Sequence, residues 1–138
     1  SRFSEEVLQM IHYIEETTAD AERLTLVLAF NYSSRREITL GVQDIARRVA
    51  NGTLKAEDIN EQTIAESLMT AQMPDPDMII RTSGECRLSN FLLWQSSYAE
   101  FYFPETLWPD FTEEEFDKAI EVFSKRDRRY GLVTETKE

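Results

Sequence analysis

Two arginines, a glycine and a serine lie close together in the segment RTSGECRLSN. Arg81 follows an apolar run, and Gly84 allows a tight backbone turn. Arg87 and Ser89 come next, at the predicted start of a helix. Guanidinium groups, a hydroxyl and free N–H groups at a helix start are the donors that phosphate oxygens require, and two arginines suit a diphosphate. The alternative is that both arginines pair with Glu85 and neighbouring acidic residues.

A second polar cluster, NYSSRRE, follows the apolar run LTLVLAF in the same way. In open α/β sheets, ligands bind beyond the carboxyl ends of the strands. Two such loops beside each other would form one crevice, and each contributes an arginine, Arg35 from the first cluster and Arg81 from the second. We therefore expect an anion site where the two loops meet.

Composition restricts the possible functions. The 138 residues are enough for one domain with a single core, and the formal net charge of -11 argues against a nucleic-acid partner. Apolar runs are too short for a membrane span, and the amphipathic start of the chain does not resemble a signal peptide. The one cysteine excludes an internal disulfide, so we expect a cytoplasmic protein.

Other common kinds of site find little support in the sequence. Neither the glycine-rich loop of P-loop nucleotide-binding proteins nor the dinucleotide fingerprint is present. His12, the only histidine, lies beside an apolar helical stripe, where a packing or surface role is the simpler interpretation. Cys86 has no histidine near it in sequence and is a weak candidate nucleophile. One histidine and one cysteine cannot form a His/Cys zinc cluster.

Hydrophobic periodicity predicts the elements in the first half of the chain. A helical stripe opens the chain, and the apolar residues 24–30 resemble a strand buried on both faces. A helix follows and ends near Asn51 and Gly52, and its apolar stripe consists of Ile38, Val42, Ile45 and Val49. A shorter helix covers residues 61–69.

The second half adds two strands and two helices. Residues 77–82 and 98–103 read as strands, and Ser89 is predicted to cap a short helix between them. Thr112 and Glu115 predict a capping box at the start of the last helix. The order α-β-α-α-β-α-β-α indicates an α/β fold with a mainly parallel sheet and helices on both faces. Three strands form a small sheet, so we expect further strands from an N-terminal half or a partner.

The segment DMIIRTSGECRLSNFLLWQSSYAEFYFPETLWPDF closely resembles the cis-prenyltransferases, most closely the bacterial undecaprenyl diphosphate synthases. LTLVLAFNYSSRREI resembles the family's Asn-Tyr-Gly-Gly-Arg segment, and RRYG resembles its Arg-x-Gly element. The resemblance covers about residues 1–131 and implies the C-terminal part of a single, N-terminally truncated domain. Residues 132–138 would form a loose polar tail. Where the family has Gly-Gly, this chain has Ser33 and Ser34, which would be strained if that loop needs a positive φ.

The resemblance implies condensation of isopentenyl diphosphate onto an allylic diphosphate, such as farnesyl diphosphate, to give a long-chain polyprenyl diphosphate, the precursor of a lipid carrier. It assigns no catalytic residue to these 138 residues, because the family's aspartate belongs to the N-terminal half, so the chain alone should be inactive. Magnesium is the implied cofactor. The resemblance implies that isopentenyl diphosphate is bound by Arg81, Arg87, Ser89 and Arg129, and that the metal is bound by Glu100. Further candidate site residues are Asn31, Arg35 and Glu85.

The resemblance also implies partners. These are a second copy of the chain in a homodimer, in which Arg129 would reach the partner's diphosphate, and a membrane contacted only through the lipid product. Residues 24–30 would form one wall of the tunnel for the growing chain. The alternative function is a non-catalytic subunit of a heteromeric cis-prenyltransferase.

Overall fold

A computed structural model describes residues 3–126 of the chain. These residues belong to two compact units, Ser1–Asn31 and Tyr32–Glu138, which are described separately. In the described part of the chain, no helix has the length and apolar character needed to cross a membrane. The predicted tail at residues 132–138 lies outside the described residues.

The first unit contains one helix, α1, which spans Glu5–Thr18. Ser4 precedes it in an extended conformation, and two acidic residues in the first turn, Glu5 and Glu6, complement the positive end of the helix dipole. The predicted opening helix is therefore confirmed, and it extends to Thr18. The rings of Phe3, which precedes the helix, and Phe30, which follows it, meet edge to face with their centroids 5.7 Å apart.

The prediction of a strand at residues 24–30 is wrong, because the structure forms no strand there. Within residues 3–126, no other segment forms a β-ladder with it, and the backbone N–H of Phe30 instead donates to the carbonyl oxygen of Leu28 at 3.2 Å. Leu24 is 80% exposed and Leu26 75%. A buried parallel strand needs neighbours on both edges and cover on both faces, and the described residues supply neither.

The second unit begins with helix α2, Ser34–Ala50, as the periodicity predicts. Asn51 is the C-cap of this helix, and Gly52 takes a φ of 78°, the left-handed conformation that commonly terminates helices. Helix α3 spans Glu61–Ala65, shorter than predicted. It starts with a reciprocal capping box in which the Asn60 side chain accepts from the N–H of Thr63 and the Thr63 hydroxyl accepts from the N–H of Asn60.

Two short strands confirm the predicted parallel sheet. Strand β1 spans Met78–Ile80 and strand β2 spans Glu100–Tyr102, with Ile79 opposite Phe101. Ile79 is buried, so the apolar run before Arg81 anchors the sheet in the core. The short 3₁₀ helices Ala56–Asp58, Gln95–Tyr98 and Trp108–Asp110 lie between the longer elements.

Helix α4, Glu113–Ser124, begins where it is predicted, but the predicted capping box does not form. Within the described residues, Thr112 makes no side-chain hydrogen bond to the first turn. The Glu115 carboxylate instead pairs with Lys118 and accepts a hydrogen bond from the Thr106 hydroxyl at 3.2 Å. A cation one turn along the helix and a hydroxyl from the preceding loop thus compete successfully for the carboxylate.

The short helix predicted to start at Ser89 is also wrong. Ser89, Asn90 and Leu92 have φ values of 49°, 66° and 45°. A right-handed helix needs negative φ at every residue, so the chain turns irregularly here before the 3₁₀ turn Gln95–Tyr98.

Polar groups share the interior of the second unit with apolar ones. Ser34 and Glu37 are the largest side chains buried almost completely. A Cβ on Gly41 would lie 3.0 Å from the carbonyl oxygen of Ser67, so the close approach of α2 to the end of α3 favours glycine here. The buried apolar residues are Ile45, Leu68, Ile79 and Ala119.

Candidate functional site

The loop after β1 is fixed to the loop after β2 by its backbone. The N–H of Arg81 donates to the carbonyl oxygen of Tyr102 at 3.0 Å, and the N–H of Ser83 donates to that of Thr106 at 2.8 Å. The N–H of Gly84, a residue with a φ of 65°, donates to the carbonyl oxygen of Pro104 at 2.8 Å. The residues that follow the strand are therefore held at its carboxyl end, where ligands of α/β sheets bind.

The Arg81 side chain holds this loop together. Its Nη1 donates to the carbonyl oxygen of Arg87 at 2.5 Å and to the Ser89 hydroxyl at 3.0 Å. Arg81 and Ser89 are thus in direct side-chain contact, and Arg87 is tied to them through its backbone. The structure brings together three residues that the sequence predicts to share an anion site.

The Arg87 side chain pairs with the carboxylate of Glu85. The alternative considered for the arginines, pairing with acidic neighbours, is therefore realised at Arg87, whereas Arg81 contacts a carbonyl and a hydroxyl. The Arg87 side chain is 61% exposed and that of Glu85 41%. Ion pairs this exposed typically contribute about 0–1 kcal/mol, so an anion with two or more negative charges can displace the carboxylate.

The two predicted loops lie side by side. The N–H of Ser34 donates to the carbonyl oxygen of Asn90 at 2.9 Å, and the N–H of Arg35 donates to its side-chain oxygen at 2.9 Å. Ser33 has a φ of -154°, an ordinary β conformation, so two serines cause no backbone strain here. Asn31 belongs to the first unit and stays a predicted site residue.

A buried carboxylate that the sequence analysis missed lies behind these loops. Glu37 is 1% exposed. Its Oε2 accepts from the Tyr32 hydroxyl at 2.5 Å and from Gln95 Nε2 at 3.1 Å, and its Oε1 accepts from the backbone N–H of Met69 at 3.0 Å. Gln95 Nε2 also donates to the Thr70 hydroxyl at 2.7 Å.

The signal for this network is in the spacing of α2. The buried residues of this helix, Ser34, Glu37, Gly41 and Ile45, follow intervals of three, four and four. They form one helical face that begins with polar residues and ends with an apolar one. A glutamate in register with buried positions predicts a buried hydrogen-bond network, since an unpaired carboxylate inside a protein is costly.

Tyr32 is the network member whose ionisation is most altered. Burial, followed by the hydrogen bond to Glu37, raises the pKa of Tyr32 to about 12. The tyrosine ring also meets Phe91 edge to face, with the centroids 5.7 Å apart. The neutral phenol is therefore part of the packing between the two loops.

This pKa predicts a loss of stability in strong alkali. The folded state favours the neutral phenol, so the contribution of Tyr32 is fully present below its ordinary pKa of 10 and is lost as pH rises toward 12. We expect the stability difference between wild type and Tyr32→Phe, measured by urea unfolding, to shift toward the phenylalanine variant between pH 10 and 12. A difference that stays constant across this window contradicts the prediction.

Glu100, the residue predicted for the metal, opens β2 opposite Met78, whereas Arg81 follows Ile80 at the end of β1. The two residues are therefore offset by three positions along neighbouring strands. The Glu100 side chain is 26% exposed, and its Oε2 lies 3.8 Å from Nε of Arg126. Arg129, the fourth predicted isopentenyl diphosphate residue, lies outside the described residues.

The described residues include no group of three or more histidine, cysteine or acidic side chains that could hold a metal ion. A lone carboxylate such as Glu100 fits only a cation that takes its remaining ligands from phosphate and water, as Mg²⁺ does. Cys86 is exposed. At the surface, Nδ1 of His12 lies 3.6 Å from Oε2 of Glu15. Within the described residues, neither side chain shows the contacts of a nucleophile or metal ligand.

Comparison with known proteins matches this geometry to one family. The family model described as putative undecaprenyl diphosphate synthase matches residues 1–131. An isoprenyl transferase of Thermotoga maritima is 52% identical over 127 residues, which are 92% of this chain and 54% of that protein. The ditrans,polycis-undecaprenyl-diphosphate synthase ((2E,6E)-farnesyl-diphosphate specific) of Vibrio vulnificus is 47% identical over 98% of this chain and 54% of its own length.

Solved structures agree with the sequence relatives. Lavandulyl diphosphate synthase from Lavandula x intermedia, in complex with dimethylallyl diphosphate, is 37% identical with a TM-score of 0.89, over 95% of this chain and 56% of that one. A probable undecaprenyl diphosphate synthase from Campylobacter jejuni is 38% identical with a TM-score of 0.76, over 95% of this chain and 59% of that one. The chain spans about half the length of the curated relatives it matches. Family model, relatives and fold agree: the chain belongs to the undecaprenyl diphosphate synthase family of prenyltransferases.

Proposed function

We propose that the protein containing this chain condenses isopentenyl diphosphate onto an allylic diphosphate, and that this chain binds the diphosphate of isopentenyl diphosphate. The observation that carries the proposal is the contact of Arg81 with Ser89 and with the backbone of Arg87 at the carboxyl end of β1. This arrangement concentrates cationic and hydroxyl donors at one point of an acidic chain. Family membership supplies the reaction class.

Each residue has a separate part in binding. Arg81 sets the shape of the loop through Nη1, and the rest of its guanidinium group supplies positive charge to the site. Arg87 exchanges the Glu85 carboxylate for a diphosphate oxygen, which carries more charge. The Ser89 hydroxyl, now an acceptor for Arg81, has its own hydrogen to donate to phosphate. The loop thus binds and orients the isopentenyl group for attack on the allylic carbon.

Glu100 is the residue of this chain that we propose for Mg²⁺. Its carboxylate is partly exposed, and only the cationic side chain of Arg126 is close to it among the ion pairs of the described residues. When bound, Mg²⁺ stabilises the negative charge that develops on a leaving diphosphate.

The first unit offers an apolar surface for an isoprenoid chain. A cavity of about 470 Å³ lies between α1 and residues 24–30. Ile11, Ile14, Leu26 and Phe30 are among the residues that line it. We propose this surface as one wall of the tunnel for the growing chain, because such a product is an unbranched series of apolar isoprene units.

Replacement of Arg87 by alanine tests the proposed substrate site. In the complete protein, we expect the KM for isopentenyl diphosphate to rise about 10–100-fold, since a charge-assisted hydrogen bond contributes about 1.5–3 kcal/mol. The KM for farnesyl diphosphate should change much less. Steady-state kinetics with each substrate varied in turn measures both constants.

Arg47→Ala is the matched control, because Arg47 is also an exposed arginine paired with an acidic residue, Asp44. Its kinetics should equal those of wild type. Equal losses for both substrates in Arg87→Ala would place Arg87 outside the isopentenyl diphosphate site. A complete protein with normal folding but no prenyl transfer would favour the non-catalytic subunit instead.

The homodimer, the cytoplasmic location and the reach of Arg129 across the dimer remain predictions from the family resemblance. The first is checked by the molar mass of the complete protein in solution. Arg129 would then be tested in dimers that pair an Arg87→Ala chain with an Arg129→Ala chain. One of the two sites in such a dimer would contain both arginines.

A further inference from the structure

The diphosphate loop contains an unusual concentration of left-handed backbone. Ser89, Asn90 and Leu92 all have φ between 45° and 66°. Asparagine tolerates this conformation, but for serine and leucine it costs about 1–2 kcal/mol per residue. The surrounding contacts must therefore hold the segment 89–93 in place.

Helix α2 supplies those contacts at its first turn. Within residues 3–126, its N-cap residue Ser33 makes no side-chain hydrogen bond to the helix. Asn90 takes over the role from outside the helix, since its carbonyl oxygen accepts from the N–H of Ser34 and its Oδ1 accepts from the N–H of Arg35, both at 2.9 Å. Two of the N–H groups that a helix start leaves without partners are thus satisfied by the loop.

Ser34 provides a third contact in the opposite direction. Its hydroxyl oxygen accepts from the backbone N–H of Leu93 at 3.0 Å, and the residue is completely buried. Asn90 and Ser34 therefore fasten the segment 89–93 at both ends.

We infer that Asn90 and Ser34 are positioning residues for the diphosphate site, an inference that rests on the proposed function. Asn90 directly follows Ser89, whose hydroxyl accepts from Arg81 at 3.0 Å. A displacement of Asn90 would move that hydroxyl away from Arg81 and open the donor cluster. The two residues act through the loop backbone and need no contact with the substrate.

Two substitutions remove one hydrogen bond each and leave the backbone free to keep its shape. Asn90→Gly removes the acceptor for the N–H of Arg35, and glycine adopts a φ of 66° without strain. Ser34→Ala removes the acceptor for the N–H of Leu93.

Asn90→Asp restores a side-chain acceptor at the helix start, where a negative charge is also favourable. Thr39→Ala is the control, since among the described residues its hydroxyl bonds to the α2 backbone alone, at the carbonyl oxygen of Arg35.

Three measurements on the complete protein test the inference. They are hydrogen exchange of the Arg35 and Leu93 amides, binding of inorganic diphosphate by calorimetry, and KM for each substrate beside kcat. We expect Asn90→Gly and Ser34→Ala to speed exchange at their own amide and to weaken diphosphate and isopentenyl diphosphate binding about 5–10-fold, the loss of one hydrogen bond of ordinary strength. The KM for the allylic substrate should stay within about twofold, and Thr39→Ala should resemble wild type in all three measurements. Asn90→Asp should keep the slow exchange of the Arg35 amide, because it keeps the side-chain acceptor.

The outcomes separate the inference from the proposed function. Faster exchange with unchanged diphosphate affinity makes these contacts structural only and overturns the inference while the proposed function stands. Unchanged exchange also overturns it, because the hydrogen bonds would then not hold the loop. A wild-type protein that binds no diphosphate overturns the proposed function and the inference together.

Discussion

Replacement of Glu37 by alanine is expected to lower the free energy of unfolding by about 3–5 kcal/mol, because three donors lose their common acceptor. The carboxylate is the common acceptor for the Tyr32 hydroxyl, the Gln95 amide and the Met69 N–H. Alanine would leave these buried donors without partners, and each such group costs about 1–3 kcal/mol. Urea unfolding of the complete protein gives the free energy directly.

Glu37→Gln is the matched control, because the network can rearrange around it. Gln95 Oε1 is buried without a hydrogen-bond partner among the described residues. If the Gln95 amide turns over, this oxygen accepts from the introduced amide group and from the Thr70 hydroxyl, while the introduced carbonyl oxygen still accepts from the N–H of Met69. We therefore expect Glu37→Gln to lower the free energy of unfolding by less than half as much as Glu37→Ala.

Equal destabilisation by both substitutions would mean that negative charge at Glu37, rather than the number of acceptors, maintains the network. Negligible destabilisation by alanine would mean that the segment around Met69 and Gln95 can part from α2 without cost. Either result would change the account of how the two loops are joined.

The placement of Arg81 at the carboxyl end of a strand could be predicted from local sequence, for a simple physical reason. The apolar run before Arg81 favours a buried strand, and polar residues directly after a parallel strand must appear at its carboxyl end. The local pattern suffices for that placement, although the strand itself forms only by pairing with residues 100–102. The same holds for α2, whose periodicity and Asn51–Gly52 terminator are both local.

Two predictions failed because the deciding contacts are distant in sequence. Residues 24–30 have the composition of a buried strand, but a strand exists only when another strand accepts its hydrogen bonds. The helix predicted at Ser89 is replaced by left-handed residues that bond to Ser34 and Arg35, more than 50 positions earlier. Propensity at Ser89 could not reveal those partners.

The buried face of α2 shows a third limit. The apolar stripe predicts that Ile38 and Val42 face inward, yet Val42 is 55% exposed and Glu37 is buried. Hydrophobic patterns assume that polar side chains seek water, and this fails where several donors converge on one carboxylate. The helix is turned so that its polar start meets the network and Ile45 still reaches the core.

Arg81→Ala should have the largest effect on activity, a fall of about 10²–10³-fold in kcat/KM for isopentenyl diphosphate, similar to the loss of a preorganised donor in other enzymes. Alanine removes a positive charge from the site. It also removes both hydrogen bonds that tie the Arg87 carbonyl and the Ser89 hydroxyl to the strand end. The loss should therefore exceed that of Arg87→Ala, whose side chain bonds only to Glu85 among the described residues.

Arg81→Lys separates these two contributions. Lysine keeps the charge, but its single ammonium group cannot hold the carbonyl and the hydroxyl and still present a planar face to phosphate. We expect it to recover part of the affinity for inorganic diphosphate and little of kcat, because charge attracts the anion whereas loop shape orients the reacting double bond. Full recovery of both would show that charge alone is required, and the contacts to Arg87 and Ser89 would then be incidental.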